Sequence, residues 1–226
     1  MDAGMSRRLS VIVPALNEAR GIEDCLRSLA PLRARGHEVI VADGGSGDGT
    51  PELAAALADR VISAPRGRAL QMNAGAAAAS GDALLFLHAD TILPADADRA
   101  VLAALASRAW GRFDVSIDSR DARLAVVGFC MNWRSRLSGI ATGDQAIFVR
   151  RAAFPGFARI ALMEDVEFSK RMKPVSAPAC LRARVVTSAR RWERRGVLRT
   201  VFLMWRLRLQ YWLGADPDEL ARRTSH

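Results

Sequence analysis

Three short apolar runs limit what this chain can fold into: Leu9 to Val13 (LSVIV), Glu38 to Ala42 (EVIVA) and Ala83 to Leu87 (ALLFL). Apolarity that continues without alternation, bounded by turn residues, predicts strands covered on both faces. Helical patterns lie between them. Ile22, Cys25, Leu26 and Leu29 recur at steps of three, one and three, and Pro31 and Gly36 are expected to close that helix. After the second run comes the glycine-rich turn DGGSGDGT, a helix through Leu53 and Leu57, a short strand at Val61 to Ser63, and an alanine-rich helix from Gln71 to Ala79. Strand–helix alternation with short links predicts an α/β fold, a mainly parallel central sheet with helices on both faces. In such sheets ligands sit at the carboxyl ends of the strands. Polar residues gather there in this chain: Asn17 and Glu18, then Asp43 onward, then His88 and Asp90.

From about Arg108 the pattern is mixed. Arg112 to Ile117 alternates and is expected to be an edge strand, Ala122 to Leu137 a helix, Ala146 to Val149 a strand, and Glu164 to Met172 a helix whose acidic start suits the helix dipole. The length of 226 residues fits one large domain with a short appendage. With no linker or repeat visible, the expected division is one domain over residues 1–195 and a helical extension over 196–226.

Each candidate site residue has a plain alternative. Asp90 closes LHAD at a strand end, where a carboxylate can bridge a hard divalent cation to a diphosphate; any strand can also simply end in an acid. Asp43 begins a turn rich in glycine, which lets a backbone approach a ligand closely while the carboxylate meets a base or ribose. The alternative is Asp43 as a helix cap, a job for which Asp48 or Thr50 is better placed. Glu164 and Asp165, about 100° apart on a helix, let one carboxylate act as general base while the other holds a neighbour; the alternative is a charged helix start. Arg190, Arg191 and Trp192 offer guanidinium groups for a diphosphate and an indole for a sugar face, or else a solvated basic face with a core tryptophan. Asp144 and Gln145 precede a strand and face an acceptor or donor sugar, or form a capped turn.

The order of these segments resembles family 2 glycosyltransferases with the GT-A fold. VIVPALNE (Val11 to Glu18) is similar to that family's opening strand and ADGGSGDGT to its nucleotide-binding strand end. LHAD is similar to its DxD site, MEDVEF to its ED base motif and SARRW to its QxxRW motif. The stretch GRALQMNAGAAAASGDALLFLHAD further resembles a small bacterial branch, and the likeness runs from residue 9 to about residue 195. It implies a nucleotide-sugar donor, UDP- or GDP-linked, an inverting transfer, and a divalent metal, Mn2+ or Mg2+. By the same resemblance Pro14, Leu16, Glu18 and Asp43 contact the donor's base and ribose, and Arg68 and Asn73 approach the uracil or phosphates. Asp90 binds the metal, with His88 touching the ribose or shaping the loop. Asp165 is the base, and Arg191 and Trp192 lie by the diphosphate and acceptor. Two positions depart from the family pattern: His88 stands at the first DxD position and Ser188 where QxxRW has glutamine.

The net charge of +9 belongs to the second half. Residues 1–115 carry 12 basic and 14 acidic side chains; residues 116–226 carry 21 and 10. At the C-terminus Leu198, Phe202, Trp205, Leu209 and Trp212 form one helical stripe with arginines around it. Such a helix lies in a membrane headgroup layer or packs on the domain, and both readings stay open. A lipid-linked acceptor would suit the first and a small-molecule acceptor the second. No apolar run nears the roughly 20 residues that span a bilayer. The segment after Arg7 and Arg8 is too short for a secretory signal, so the expected location is cytoplasmic, and peripheral on the inner face of the cell membrane if the helix meets lipid. Cys25, Cys130 and Cys180 lack paired spacing and are expected to be buried free thiols. A nucleotidyltransferase is the enzymatic alternative, but it would usually carry a glycine-rich, Lys- or Arg-containing loop where this chain has PALNE. A non-catalytic basic module on nucleotide or lipid is the other. Carboxylates gathered at strand ends disfavour nucleic acid as a partner.

Overall fold

In the computed structural model, which describes residues 8–224, β1 (Leu9–Ala15) is covered on both faces, as its unbroken apolar run requires. Arg7, part of the N-terminal segment weighed above, lies outside the described residues. Two short helices follow, α1 (Ile22–Ser28) and α2 (Ala30–Ala34), then β2 (Glu38–Asp43), α3 (Thr50–Ala55), β3 (Arg60–Ser63), α4 (Arg68–Ala78) and β4 (Ala83–Phe86). Pro31 therefore does not close the first helix. It occupies the first turn of α2, where its missing N–H has no partner to lose, and Gly36 with φ 86° follows.

β1 pairs in parallel with β2 and β4, so that Ile12 lies between Ile40 and Phe86. Side chains alternate between two cores. Val11, Val13, Val39, Val41 and Leu85 meet Ile22 and Leu26 of α1, while Ile12, Ile40, Leu84 and Phe86 meet Ala69, Met72 and Ala76 of α4. Gly75 brings α4 down onto the sheet, since a Cβ there would run into the Ile12 side chain.

The second half is mixed in direction. β5 (Thr91–Ile92), α5 (Ala97–Ser107), β6 (Trp110–Asp118), α6 (Ala122–Ser138), β7 (Phe148–Arg150), α7 (Glu164–Met172) and β8 (Ala179–Ser188) complete an eight-stranded order β3-β2-β1-β4-β7-β6-β8-β5 among the described residues. β6 is not the expected edge strand; it runs between β7 and β8. Its charges misled, because they neutralise one another inside the protein. Arg112 is fully buried, pairs with Asp114 and donates to the carbonyls of Phe113 and Asn132, and Arg136 pairs with Asp114 at 2.6 Å. β8 and α5 had no counterpart in the sequence reading.

The chain ends in α8 (Arg190–Arg195), α9 (Val197–Trp212) and α10 (Pro217–Thr224). α9 does pack on the body, but not by the predicted stripe. Val197, Val201 and Met204 join Ile117, Leu124 and Trp192, and Leu203, Leu207 and Tyr211 join Leu162 and Met163. Leu198, Phe202, Trp205, Leu209 and Trp212 point outward and are exposed. Of the cysteines, all free, only Cys25 is buried; Cys130 is exposed and Cys180 half-buried.

Candidate active site

The loops after β1 and β2 are tied together by side chains that accept backbone N–H groups. Asn17, in left-handed backbone (φ 55°), donates its N–H to Ser46 Oγ at 2.9 Å, and its Oδ1 accepts from the Gly47 N–H. Glu18 donates its N–H to Thr50 Oγ1 at 2.9 Å, and Ala19 to Asp48 Oδ2 at 3.0 Å. Gln71, buried on α4, donates to the carbonyls of Ala15 and Ala42 and so fixes both strand ends. Thr50 and Asp48, the expected capping residues, turn toward the β1 loop and each other, and Asp48 Oδ1 also accepts the Thr50 N–H at the start of α3 at 3.1 Å. Asp43 closes its own turn, accepting from the N–H groups of Gly45 and Ser46 and from Ser46 Oγ.

Beyond these loops opens a cleft with two joined compartments. The smaller, about 300 Å3, is bounded by Pro14, Leu16, Gln71, Trp192 and residues shared with its neighbour. The larger, about 1250 Å3, takes in Glu164, Asp165, Arg190 and the inner face of α9. Glu18, Arg68, His88, Asp90, Asp144 and Arg191 border both. Thus twelve of the expected residues, Arg190 included, converge. Asp43, Asn73 and Gln145 stand outside the lining. Asn73 clamps the Phe157 backbone, donating to its carbonyl at 2.9 Å and accepting its N–H at 2.8 Å. Gln145, fully buried, accepts the Thr142 N–H and donates to Asn132 Oδ1.

The acidic helix start of α7 follows Met163, whose left-handed backbone (φ 69°) turns the chain into the cleft. Asp165 accepts the Gly143 N–H at 2.9 Å and the Val166 N–H at 2.7 Å, which fixes its carboxylate. Glu164 points the other way, to Arg68 at 3.1 Å. Burial raises the pKa of Glu164, against the pull of the Arg68 charge. Asp144 faces His88 Nδ1 at 3.3 Å; burial raises its pKa, but His88, Arg191 and Arg68 outweigh that and hold the carboxyl well below the usual range. The other side of the imidazole is tightly bounded. His88 Nε2 is buried with no hydrogen-bond partner, and a Cβ on Gly143 would lie 2.5 Å from it.

Glu18 and Asp90 are close enough to matter electrostatically. Burial first, and then the Asp90 charge, raises the Glu18 pKa, with Arg190 and His88 opposing. Ser188, in place of the family glutamine, joins two motifs: its N–H donates to the Asp90 carbonyl at 3.2 Å and its Oγ accepts from Arg190 Nε at 3.0 Å. Sequence reasoning missed Gln71, Arg66 and Arg208. Gln71 did leave a signal, as a polar residue on the apolar side of a helix beside two strand ends. Arg208 left none, because only tertiary packing brings α9 to the cleft. Burial and the nearby Arg208 push the Arg134 pKa down to about 10, and Arg134 Nε and Nη2 have no hydrogen-bond partner.

Comparison with known proteins agrees with this architecture. Among curated relatives, glucosyl-3-phosphoglycerate synthase of Mycobacterium tuberculosis is 36% identical over 102 residues, covering 41% of this chain and 32% of that protein. Poly-beta-1,6-N-acetyl-D-glucosamine synthase of Staphylococcus aureus is 32% identical over 95 residues, covering 39% and 23%. The matches therefore span about a third or less of those relatives' length. Among solved structures, TarS of S. aureus aligns with a TM-score of 0.66 at 19% identity, over 80% of this chain and 60% of that one. The M. tuberculosis glucosyl-3-phosphoglycerate synthase, crystallised with Mn2+, UDP and glucosyl-3-phosphoglycerate, aligns with a TM-score of 0.60 at 22% identity, over 79% and 71%. These likenesses show the GT-A fold. The model of Glycosyl transferase family 2 matches residues 10–158, which includes Glu18, His88 and Asp90 and stops short of Asp165 and Arg191. That match covers well over half of the 226 residues, and this chain belongs to glycosyltransferase family 2.

Proposed function

We propose that this chain transfers a sugar from a UDP- or GDP-linked donor to an acceptor hydroxyl, with inversion at the anomeric carbon and the help of Mn2+ or Mg2+. The observation that carries this reading is the border between the two compartments. Asp90, His88 and Arg191 touch both, and Asp165 lies in the larger one only. The smaller compartment then takes the nucleotide diphosphate and the larger the acceptor. UDP and UDP-GlcNAc in the solved relatives support a UDP-linked donor.

Pro14 and Leu16 border the base and ribose, while Arg191, which lines both compartments, meets the diphosphate with fixed positive charge. Asp43, Asn73 and Gln145 act one layer further out, by holding the loops that carry the contacts. Mg2+ and Mn2+ bound to a diphosphate need only one or two protein carboxylates, and Asp90 with Glu18 beside it meets that need. Among the described residues no group of three or more His, Cys, Asp or Glu forms a cage of its own, so cation and diphosphate would bind together. Bound there, the cation would neutralise charge on the leaving diphosphate. His88 shapes the loop, gripped between Asp144 and Gly143.

Asp165, oriented by the Gly143 and Val166 N–H groups, accepts the acceptor's hydroxyl proton. The freed oxygen forms its bond to the anomeric carbon as the bond to the diphosphate oxygen breaks on the opposite face, and the electron pair leaves with the nucleotide. The acceptor is a small molecule or a lipid-linked one, and the C-terminal helix gives the chain peripheral contact with the inner face of the cell membrane.

Two variants test the assignment. Asp165→Asn should lower transfer by about 100-fold to 10,000-fold, the usual worth of a general base, while UDP binding by calorimetry is retained; full activity would reject the base. Asp90→Ala should abolish the strengthening of UDP binding by Mn2+, and an unchanged titration would reject the metal assignment.

A further inference from the structure

We propose that the outward faces of α6 and α9 together form one docking surface for an anionic lipid bilayer. This goes beyond contact by the C-terminal helix and does not depend on the catalytic assignment. α6 and α9 are neighbours, with Leu124 and Val127 of one sharing a cluster with Val197, Val201 and Met204 of the other. Both turn large apolar side chains away from the protein. On α6 these are Val126, Phe129, Trp133 and Leu137, at steps of three, four and four, with Leu137 80% exposed. On α9 they include Phe202, Trp205 and Trp212, at 71%, 72% and 76% exposure. Phe129 and Trp133 already stack edge to face, 6.1 Å apart. Soluble proteins rarely leave so many large apolar groups side by side in water.

Charge decides the occupant. Neither helix carries an aspartate or glutamate, and Arg199 and Arg206 stand exposed beside the apolar groups of α9, while Arg136 is held by Asp114, Arg134 Nε and Nη2 are buried and Arg208 faces the cleft. A second copy of this chain would bring the same cations face to face, so the self-contact is disfavoured. An anionic bilayer meets both features. Indole and phenyl rings settle at the headgroup boundary, while guanidinium groups reach lipid phosphates on flexible stems. No helix among the described residues is long and apolar enough to cross the membrane, so the helices would lie in its surface. The inner face of α9, with Leu203, Met204 and Leu207, lines the larger compartment. Docking would hold that compartment about 10 Å, one helix diameter, from the lipid, within reach of an acceptor carried on a lipid.

The test is co-sedimentation of the full chain with phosphatidylcholine vesicles, with and without phosphatidylglycerol. The chain should pellet with the phosphatidylglycerol vesicles and far less with phosphatidylcholine alone, and added salt should release it. Trp205→Glu on α9 and Phe129→Glu on α6 should each weaken binding about tenfold or more. Because both side chains are exposed, thermal stability and UDP binding should stay unchanged. Absence of pelleting at low salt overturns the proposal. Loss with Trp205→Glu but not with Phe129→Glu overturns the two-helix surface while leaving the C-terminal contact standing. A dimer by gel filtration that both substitutions dissociate would make a second copy the occupant and overturn the bilayer.

Discussion

A single methyl group at Gly143 should disturb the border that we propose to be catalytic. A Cβ there would lie 2.5 Å from His88 Nε2 and 2.8 Å from Cε1. Ordinary contact is about 3.5 Å, so the loop or the imidazole must yield by about 1 Å. Neither movement is free. His88 sits against Asp144 at 3.3 Å on its other side, and the Gly143 N–H holds Asp165 at 2.9 Å. Forced overpacking costs about 1–3 kcal/mol, and misplacing a catalytic group by 1 Å can cost about 100-fold in rate. Gly143→Ala should therefore lower kcat by about 10-fold to 100-fold in a nucleotide-release assay and also lower the midpoint of thermal unfolding. Gly143 has no positive φ, so backbone strain does not confuse the result. A double-mutant cycle with His88→Ala isolates the contact: with the imidazole gone, the alanine at 143 should cost about 1 kcal/mol less stability than it does in the wild type. Wild-type kcat and stability in Gly143→Ala would refute this packing.

Three further outcomes follow from the fold and its charges. Gly75→Ala should destabilise the protein, because its Cβ meets buried Ile12. Overpacking of about 1–3 kcal/mol, less about 1 kcal/mol of gained helix propensity, leaves a loss of up to about 2 kcal/mol; a raised midpoint would show that α4 is not seated on β1. Arg112→Ala strips a buried Asp114 of one of its two cations and should cost about 3–5 kcal/mol in urea unfolding; a loss below about 1 kcal/mol would refute the burial of that pair. Glu18 has its pKa raised from 4.5 by burial and by Asp90, so its contribution to stability is full below its unfolded value and falls as pH rises through the folded value. Glu18→Gln should remove that fall and raise the unfolding midpoint at neutral pH without nucleotide or metal, and identical pH profiles for the two proteins would refute the Glu18–Asp90 repulsion.

The sequence by itself determined the first half of the sheet, because short apolar runs bounded by turn residues, two of them rich in β-branched side chains, favour strands with both faces covered, and β1, β2 and β4 are built that way. It also carried the convergence of Glu18, His88 and Asp90, since residues that follow parallel strands must share one edge of the sheet. Only tertiary structure decided the rest. Arg112 and Asp114 look like surface residues until their mutual pairing is seen, so β6 looked like an edge although it is interior. Asp43, Asn73 and Gln145 carry the right chemistry, yet nearby backbone groups already occupy their polar atoms. The direction of the α9 stripe was undecidable as well: helical spacing marks which side chains share a face, whereas what lies against that face depends on distant Leu124, Met163 and Trp192.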